Sequence, residues 1–155
     1  MTLTILSSSI AFTNVSVAAT KPSIETVVVT ASRRDDDSRT LAASIGVIDI
    51  QSIKITAHSH INEVANQVAG AWISRGNGQE HLTAIRSPSY TGAGACGEFL
   101  MAENGIPLRA TGFCNVNQLF EVNSEQAERI EILKGPGYAF HGSNAVHGVI
   151  NVITM

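Results

Sequence analysis

The chain has 155 residues, 44% of them hydrophobic and 15% charged, with a formal net charge of -3. That is enough for one ordinary core and too little for two comfortable ones. The weakly negative charge gives no electrostatic case for nucleic acid, and no window after the amino terminus approaches the ~20 consecutive apolar residues that a spanning helix needs.

The first stretch, MTLTILSSSIAFTNVSVAAT, is apolar, rich in Ser and Thr, and carries no charged side chain. It ends in Val17, Ala18 and Ala19, small side chains at the spacing a signal peptidase accepts, so residues 1–19 read as an export signal cut after Ala19. The usual basic n-region is missing, and a disordered or buried amino-terminal strand stays open as the alternative. Next comes a β-branched run, Glu25, Thr26, Val27, Val28, Val29, Thr30 and Ala31, closed by the charged cluster Arg33 to Asp37. Branched Cβ atoms restrict χ1 and suit a pleated backbone, so this run wants a strand partner. The partner is either the domain's own sheet or the edge of another chain, and the residues alone leave both open.

From Leu41 the chain reads as folded. Ile45 to Ile50 alternates as a strand. Ile61, Val64, Ala65, Val68 and Ala69 then recur on one helical face, with Ser59 as N-cap and Gly70 as the stop. Ala71 to Ser74 and Leu82 to Arg86 read as strands divided by the turn residues Arg75 to Gly78. A Gly-rich loop spans Ser87 to Gly97. Phe99 to Met101 and Ile106 to Leu108 flank Glu103-Asn104-Gly105, and an Asn-Gly pair between apolar runs is a strong hairpin signal. Asn123 is placed to cap Ser124-Glu125-Gln126, with Gln126 at the capping-box position, before Ile130 to Leu133 returns to strand. The expected fold class is α+β: a small mixed-sheet domain with short helices and long loops.

Cys96 and Cys114 bracket the hairpin. In an exported chain such a pair forms a disulfide rather than a metal site, and closing a loop of this size stabilises by roughly 3 kcal/mol. The histidines His58, His60, His81, His141 and His147 lack the partners that make a zinc reading specific, so they read as solvated or structural. Gly135 to Gly148 is Gly-rich, but no lysine stands where a phosphate loop needs one. No nucleophile elbow or carboxylate pair stands out. The expectation is no enzyme, no metal and no cofactor.

RIEILKGPGYAFHGSNAVHGVINVIT, residues 129–154, is very similar to the closing segment of the plug domain of TonB-dependent outer-membrane receptors. There a strand, a basic-Gly-Pro turn, a short helix, a Gly-Ser loop and a Gly-Val-Ile-Asn strand follow in that order. ETVVVTAS resembles a TonB box, INEVANQVAGAWIS the helix and strand that open the plug, and LTAIRS the strand ending in Ile-Arg-Gly. The resemblance covers about residues 25 to 154 and favours a partner-binding role for residues 25–31.

It implies a division into residues 1–19 as signal peptide, 20–39 as TonB-box segment and flexible linker, and 40–154 as plug. In the family the last plug strand leads into a barrel of about 22 strands, which at ~9 to 11 residues each needs well over 200 residues. The chain reaches only Met155, so the expectation is a fragment, a split gene or an isolated plug. Two positions depart from the family: Ser87 stands for the glycine of Ile-Arg-Gly, and Lys134 for the more usual arginine before Gly-Pro. Basic residues at the positions of Arg86 and Lys134 face barrel carboxylates in the family; lysine there acts as a point charge without bidentate geometry.

The mechanism implied is gated uptake at the outer membrane. The plug fills the barrel, outer loops help bind a small molecule or metal chelate such as a ferric siderophore or cobalamin, and the periplasmic segment near Val27 to Val29 pairs with TonB. The expected ligand-facing residues are Tyr90, in the Ser87 to Gly97 loop, and Asn104 at the hairpin tip. A free-standing periplasmic binding module and a non-functional remnant are the alternatives.

Overall fold

A computed structural model describes residues 28–29, 36–37, 41–76, 81–89, 99–108 and 122–154. The centre of the molecule is a five-stranded mixed sheet. Its strands are β3 (Ser44–Asp49), β6 (Phe99–Glu103), β7 (Ile106–Pro107), β8 (Ala127–Lys134) and β9 (Gly148–Thr154), in the order β3-β8-β9-β6-β7. All neighbours are antiparallel except β6 and β9, which run parallel with Phe99 opposite Gly148 and Glu103 opposite Val152. Two smaller antiparallel pairs are separate from it: β1 (Val28–Val29) with β2 (Asp36–Asp37), and β4 (Ala71–Ile73) with β5 (Thr83–Ile85).

Both faces of the large sheet are buried at the central strands β8 and β9, where Glu131 and its register partner Asn151 are buried among the apolar residues. Ile48, Ile130, Ile132, Ile150, Val152, Phe99 and Met101 form one face of the main core, against Ile53, Ile61, Val64 and Ala65 from the helices. Leu133, Val149, Leu100 and Ala145 form the second cluster, with Ala43 and Ile45 packed on it. Fully burying one such Ile or Val is worth ~1.5–3 kcal/mol, so Ile130, Ile132 and Leu133, buried on either side of Glu131, anchor the sheet.

The helices are α1 (Ile50–Thr56) and α2 (Ile61–Ala65). The β-branched residues around α1 argue for strand, and the sequence reading had none of it as helix. Asp49 decides locally: its carboxylate accepts from Ser52 N–H at 2.7 Å and caps the first turn, while Ile53 turns into the core. At the other end Ala57 takes φ 46° and its N–H bonds the Ile53 carbonyl.

The helix predicted over Ile61 to Ala69 exists as α2 but is shorter and capped differently. His60, not Ser59, is the N-cap, its ring accepting from Asn62 N–H; Ser59 instead donates backbone N–H and hydroxyl to the Glu63 carboxylate. Beyond Ala65 the periodic run continues as tighter turns, Gln67 N–H to Val64 O and Val68 N–H to Ala65 O, so Val68 stays buried without helix.

Asn66 accounts for the break. Its side chain accepts from Ile73 N–H at 2.7 Å and donates to Ile73 C=O at 3.0 Å, so the amide acts as one more rung on β4. The capping box at Asn123 does not form. Ser124–Gln126 is a 3₁₀ turn without a side-chain cap, because Ser124 is drawn into the interior by a histidine. No helix of the described residues is long and apolar enough to cross a membrane.

Candidate functional site

The two basic residues expected to face a barrel are brought to one corner. Lys134 closes β8 and is register partner to Ser44 on one side and Gly148 on the other. Arg86 follows β5 in the left-handed region, φ 50°, with its N–H on the Gly70 carbonyl at 2.9 Å. Its guanidinium reaches Ser44, donating to Oγ at 2.8 Å, while Lys134 Nζ donates to Ala69 C=O at 3.2 Å.

Gly70, φ 85°, lies between them. Only a residue without Cβ adopts this conformation cheaply, and the bare backbone lets both stems lie over it. Arg86 is exposed and Lys134 half-buried. Among the described residues the ion pairs are Arg75–Glu63, Arg129–Glu128 and Arg129–Glu131, and no carboxylate pairs with Arg86 or Lys134. Two like charges are thus held at one exposed corner. Ser87, the departure from Ile-Arg-Gly, spends its hydroxyl locally, accepting from Ile85 N–H and donating to Pro88 C=O.

Asn104 sits at the opposite end of the sheet. Asn104 and Gly105 have φ 50° and 76°, as a two-residue hairpin turn of primed type requires. The Asn104 amide donates to Thr154 Oγ1 at 2.7 Å and accepts from Thr154 N–H at 3.0 Å, while Gly105 N–H donates to Asn151 Oδ1 at 2.9 Å. Asn104 is therefore the clamp on the end of β9, where β8 and β9 pair Ala127 with Thr154. Tyr90, Cys96, Cys114 and the Ala19 cleavage point lie outside the described residues. Of residues 25–31 only Val28 and Val29 are described, as backbone paired antiparallel with Asp37 and Asp36.

The histidines His58, His60 and His81 are buried, at 3%, 2% and 5% exposure, which makes them structural rather than solvated. His58 Nε2 and Ser124 Oγ are 2.8 Å apart, and His60 and His81 meet edge to face at 6.1 Å. A Ser–His contact invites a nucleophile–base reading. Among the described residues His58 Nδ1 has no hydrogen-bond partner, so none of them orients the ring as the acid of a triad does. Burial holds the His58 pKa below its ordinary value, partly opposed by Glu125 and Glu63. Among the described residues no three His, Cys, Asp or Glu side chains are grouped to hold a metal. His141 serves the 3₁₀ turn Ala139–His141, its Nδ1 accepting from Tyr138 N–H at 3.0 Å, and His147 lies 5.9 Å from Phe99. The resemblance named Arg86 and Lys134 but not that they meet, and sequence patterning had no means of finding the Asn66 rung or the His58–Ser124 pair, each of which joins residues through the fold.

The arrangement is matched by known proteins. Residues 37–149 match the model of the TonB-dependent Receptor Plug Domain family, and the chain belongs to that family. The Vitamin B12 transporter BtuB of Vibrio vulnificus (strain CMCP6) is 33% identical over 131 residues, covering 84% of this chain and 20% of the relative. The fold is similar to the ferripyoverdine receptor of the outer membrane of Pseudomonas aeruginosa, with TM-score 0.61 at 19% identity, over 83% of this chain and 16% of that one. The siderophore receptor PirA from Pseudomonas aeruginosa is similar at 26% identity and TM-score 0.51, over 75% of this chain and 19% of that one. The chain thus spans about a fifth of the length of these relatives. Members of this family are outer-membrane transporters and receptors and are not enzymes.

Proposed function

We propose that this plug domain gates energy-coupled uptake of a scarce small molecule or metal chelate, of the ferric siderophore or cobalamin class, through an outer-membrane barrel. The observation that carries the reading is the Arg86–Lys134 corner: two cations converge on Gly70, each anchored by neutral groups, and no carboxylate answers them among the described residues. Desolvating such a pair is expensive unless acids meet it, and barrel-wall carboxylates are the proposed complement.

Within the same reading, residues 1–19 direct export, residues 20–39 carry the TonB box and its linker, and residues 40–154 form the plug. The ligand faces the Ser87 to Gly97 loop with Tyr90, and Cys96 pairs with Cys114. Asn104 at the hairpin tip is the second proposed ligand-facing residue, and its amide also bonds Thr154 twice, holding the end of the last strand. Residues 25–31 add as a strand to TonB, whose pull loosens the plug.

The test is to graft residues 20–154 in place of the plug of a complete receptor and to measure uptake and crosslinking to TonB. Val28→Ala should support both. Val28→Pro, which removes a backbone N–H and fixes φ, should lose both while the domain still folds. Reversing the corner charges by Arg86→Glu with Lys134→Glu should lower the amount of assembled receptor. Full crosslinking by the proline variant, together with normal assembly of the reversed one, would overturn the proposal.

A further inference from the structure

Asp36 and Asp37 give the TonB-box segment a strand partner inside its own chain. The register is Val28 opposite Asp37 and Val29 opposite Asp36, antiparallel. This pair is a separate two-stranded sheet, joined to neither of the other sheets of the described residues. One edge of β1 is occupied by β2, and its other edge has no neighbouring strand among the described residues.

An isolated two-stranded hairpin is marginal in water, whereas a third strand gives a ladder that persists. A disordered segment that pairs with a partner must lose its backbone freedom at that moment, and the lost entropy weakens the complex. A segment already held extended loses less.

We propose that β2 is a backing strand: Asp36 and Asp37 hold Val28 and Val29 extended, and a strand of the partner adds to the free edge of β1 to make a three-stranded unit. The inference rests on the reading of residues 25–31 as the TonB-binding segment. It adds to that reading a second determinant in the linker.

The experiment uses the full chain and the periplasmic domain of TonB, with affinity measured by titration calorimetry. Asp36→Pro with Asp37→Pro removes both backbone donors of β2 and should weaken binding about tenfold, the factor by which a smaller pre-extended population reduces apparent affinity. Asp36→Ala with Asp37→Ala keeps those donors and should stay within about twofold of the parent. In the complex, a nuclear Overhauser contact between residues 28 and 37 should persist.

Equal or tighter binding by the proline pair, or loss of the 28–37 contact on binding, would show β2 to be bystander or cover. Equal weakening by the alanine pair would put the effect in charge rather than in the ladder. Val28→Pro separates the two layers. If it binds like the parent, the TonB reading itself fails; if it alone fails to bind while the aspartate variants are unaffected, only the backing strand falls.

Discussion

Arg86 and Lys134 approach Gly70 together: a methyl group built on Gly70 would lie 3.4 Å from Arg86 Cγ and 3.7 Å from Lys134 Cδ. The glycine therefore does two things at once, turning the chain at φ 85° and leaving room for two cationic stems. Gly70→Ala is expected to destabilise by about 1–2 kcal/mol, mainly through the strained left-handed backbone, since the contacts themselves are ordinary. Urea denaturation measures this. Gly148→Ala is the comparison, because there the new Cβ would meet the Leu133 carbonyl at 2.8 Å and Ile85 Cδ1 at 2.7 Å in the middle of the sheet. It should cost more than Gly70→Ala, and the reverse order would mean that the β8–β9 ladder is looser than it stands.

The Asn66 amide is the second point of test. Ile73 is 1% exposed, so removing the side chain leaves its N–H and C=O without those partners and without access to water. Asn66→Ala should lower stability by about 1–3 kcal/mol in the same denaturation experiment. Asn66→Asp is no rescue: it keeps an acceptor for the Ile73 N–H but sets a carboxylate oxygen against the Ile73 carbonyl. Stability equal to the parent in either variant would remove the rung from the account.

His58 gives the domain a dependence on pH. Burial disfavours its charged form, so its folded pKa lies below the 6.5 of the exposed ring, against the opposing pull of Glu125 and Glu63 and with the assistance of neighbouring His60. Above 6.5 the ring is neutral in both states and contributes no pH dependence. As pH falls through 6.5 the unfolded chain takes up the proton first, and the folded state loses stability until its own lower pKa is reached. Denaturation midpoints should therefore fall on acidification below about pH 6.5. His58→Gln should flatten that slope, and an unchanged slope would assign it elsewhere.

Asn104 is tested by separating its backbone from its side chain. Asn104→Ala loses both bonds to Thr154 and strains φ, and should cost about 1–2 kcal/mol. Asn104→Gly loses the same bonds but relaxes φ, and should cost less. In both, the Thr154 amide should exchange faster with solvent than in the parent. Protection of that amide in either variant would show that the clamp is not made by Asn104.

Much of this architecture was readable before any coordinates, and the reason is local. Asn104-Gly105 encodes its own turn through two positive φ angles, and the apolar residues Ile130, Ile132 and Leu133 belong to a strand buried on both faces. The closing segment from Arg129 resembles a known family along its whole length, and the family followed from it. What escaped was long-range. His58 finds Ser124 across 66 positions, and Arg86 finds Ser44 across 42. Helix α1 was hidden because Ile50, Ile53 and Ile55 carry strand propensity, and the Asp49 cap with the burial of Ile53 outweighs it. The Ser59 and Asn123 caps failed for a related reason: Glu63 holds Ser59, and His58 holds the residue next to Asn123.

The order of strands also determines how the sheet would yield to tension. β3 is the first strand after the amino-terminal segment and forms one margin of the sheet, bonded among the described residues only to β8, with Ser44 at the Lys134 end and Thr154 at the far end of β9. A pull on the chain ahead of Ser44, directed toward the Thr154 end, folds β3 back over itself and breaks its rungs singly, as a zipper opens. The parallel β6 and β9 in the interior, loaded along their length, would have to shear five rungs together. Force applied from the amino terminus would thus detach β3 early, freeing Gly46 from Val68 and Ile48 from the main core, while the remaining four strands hold.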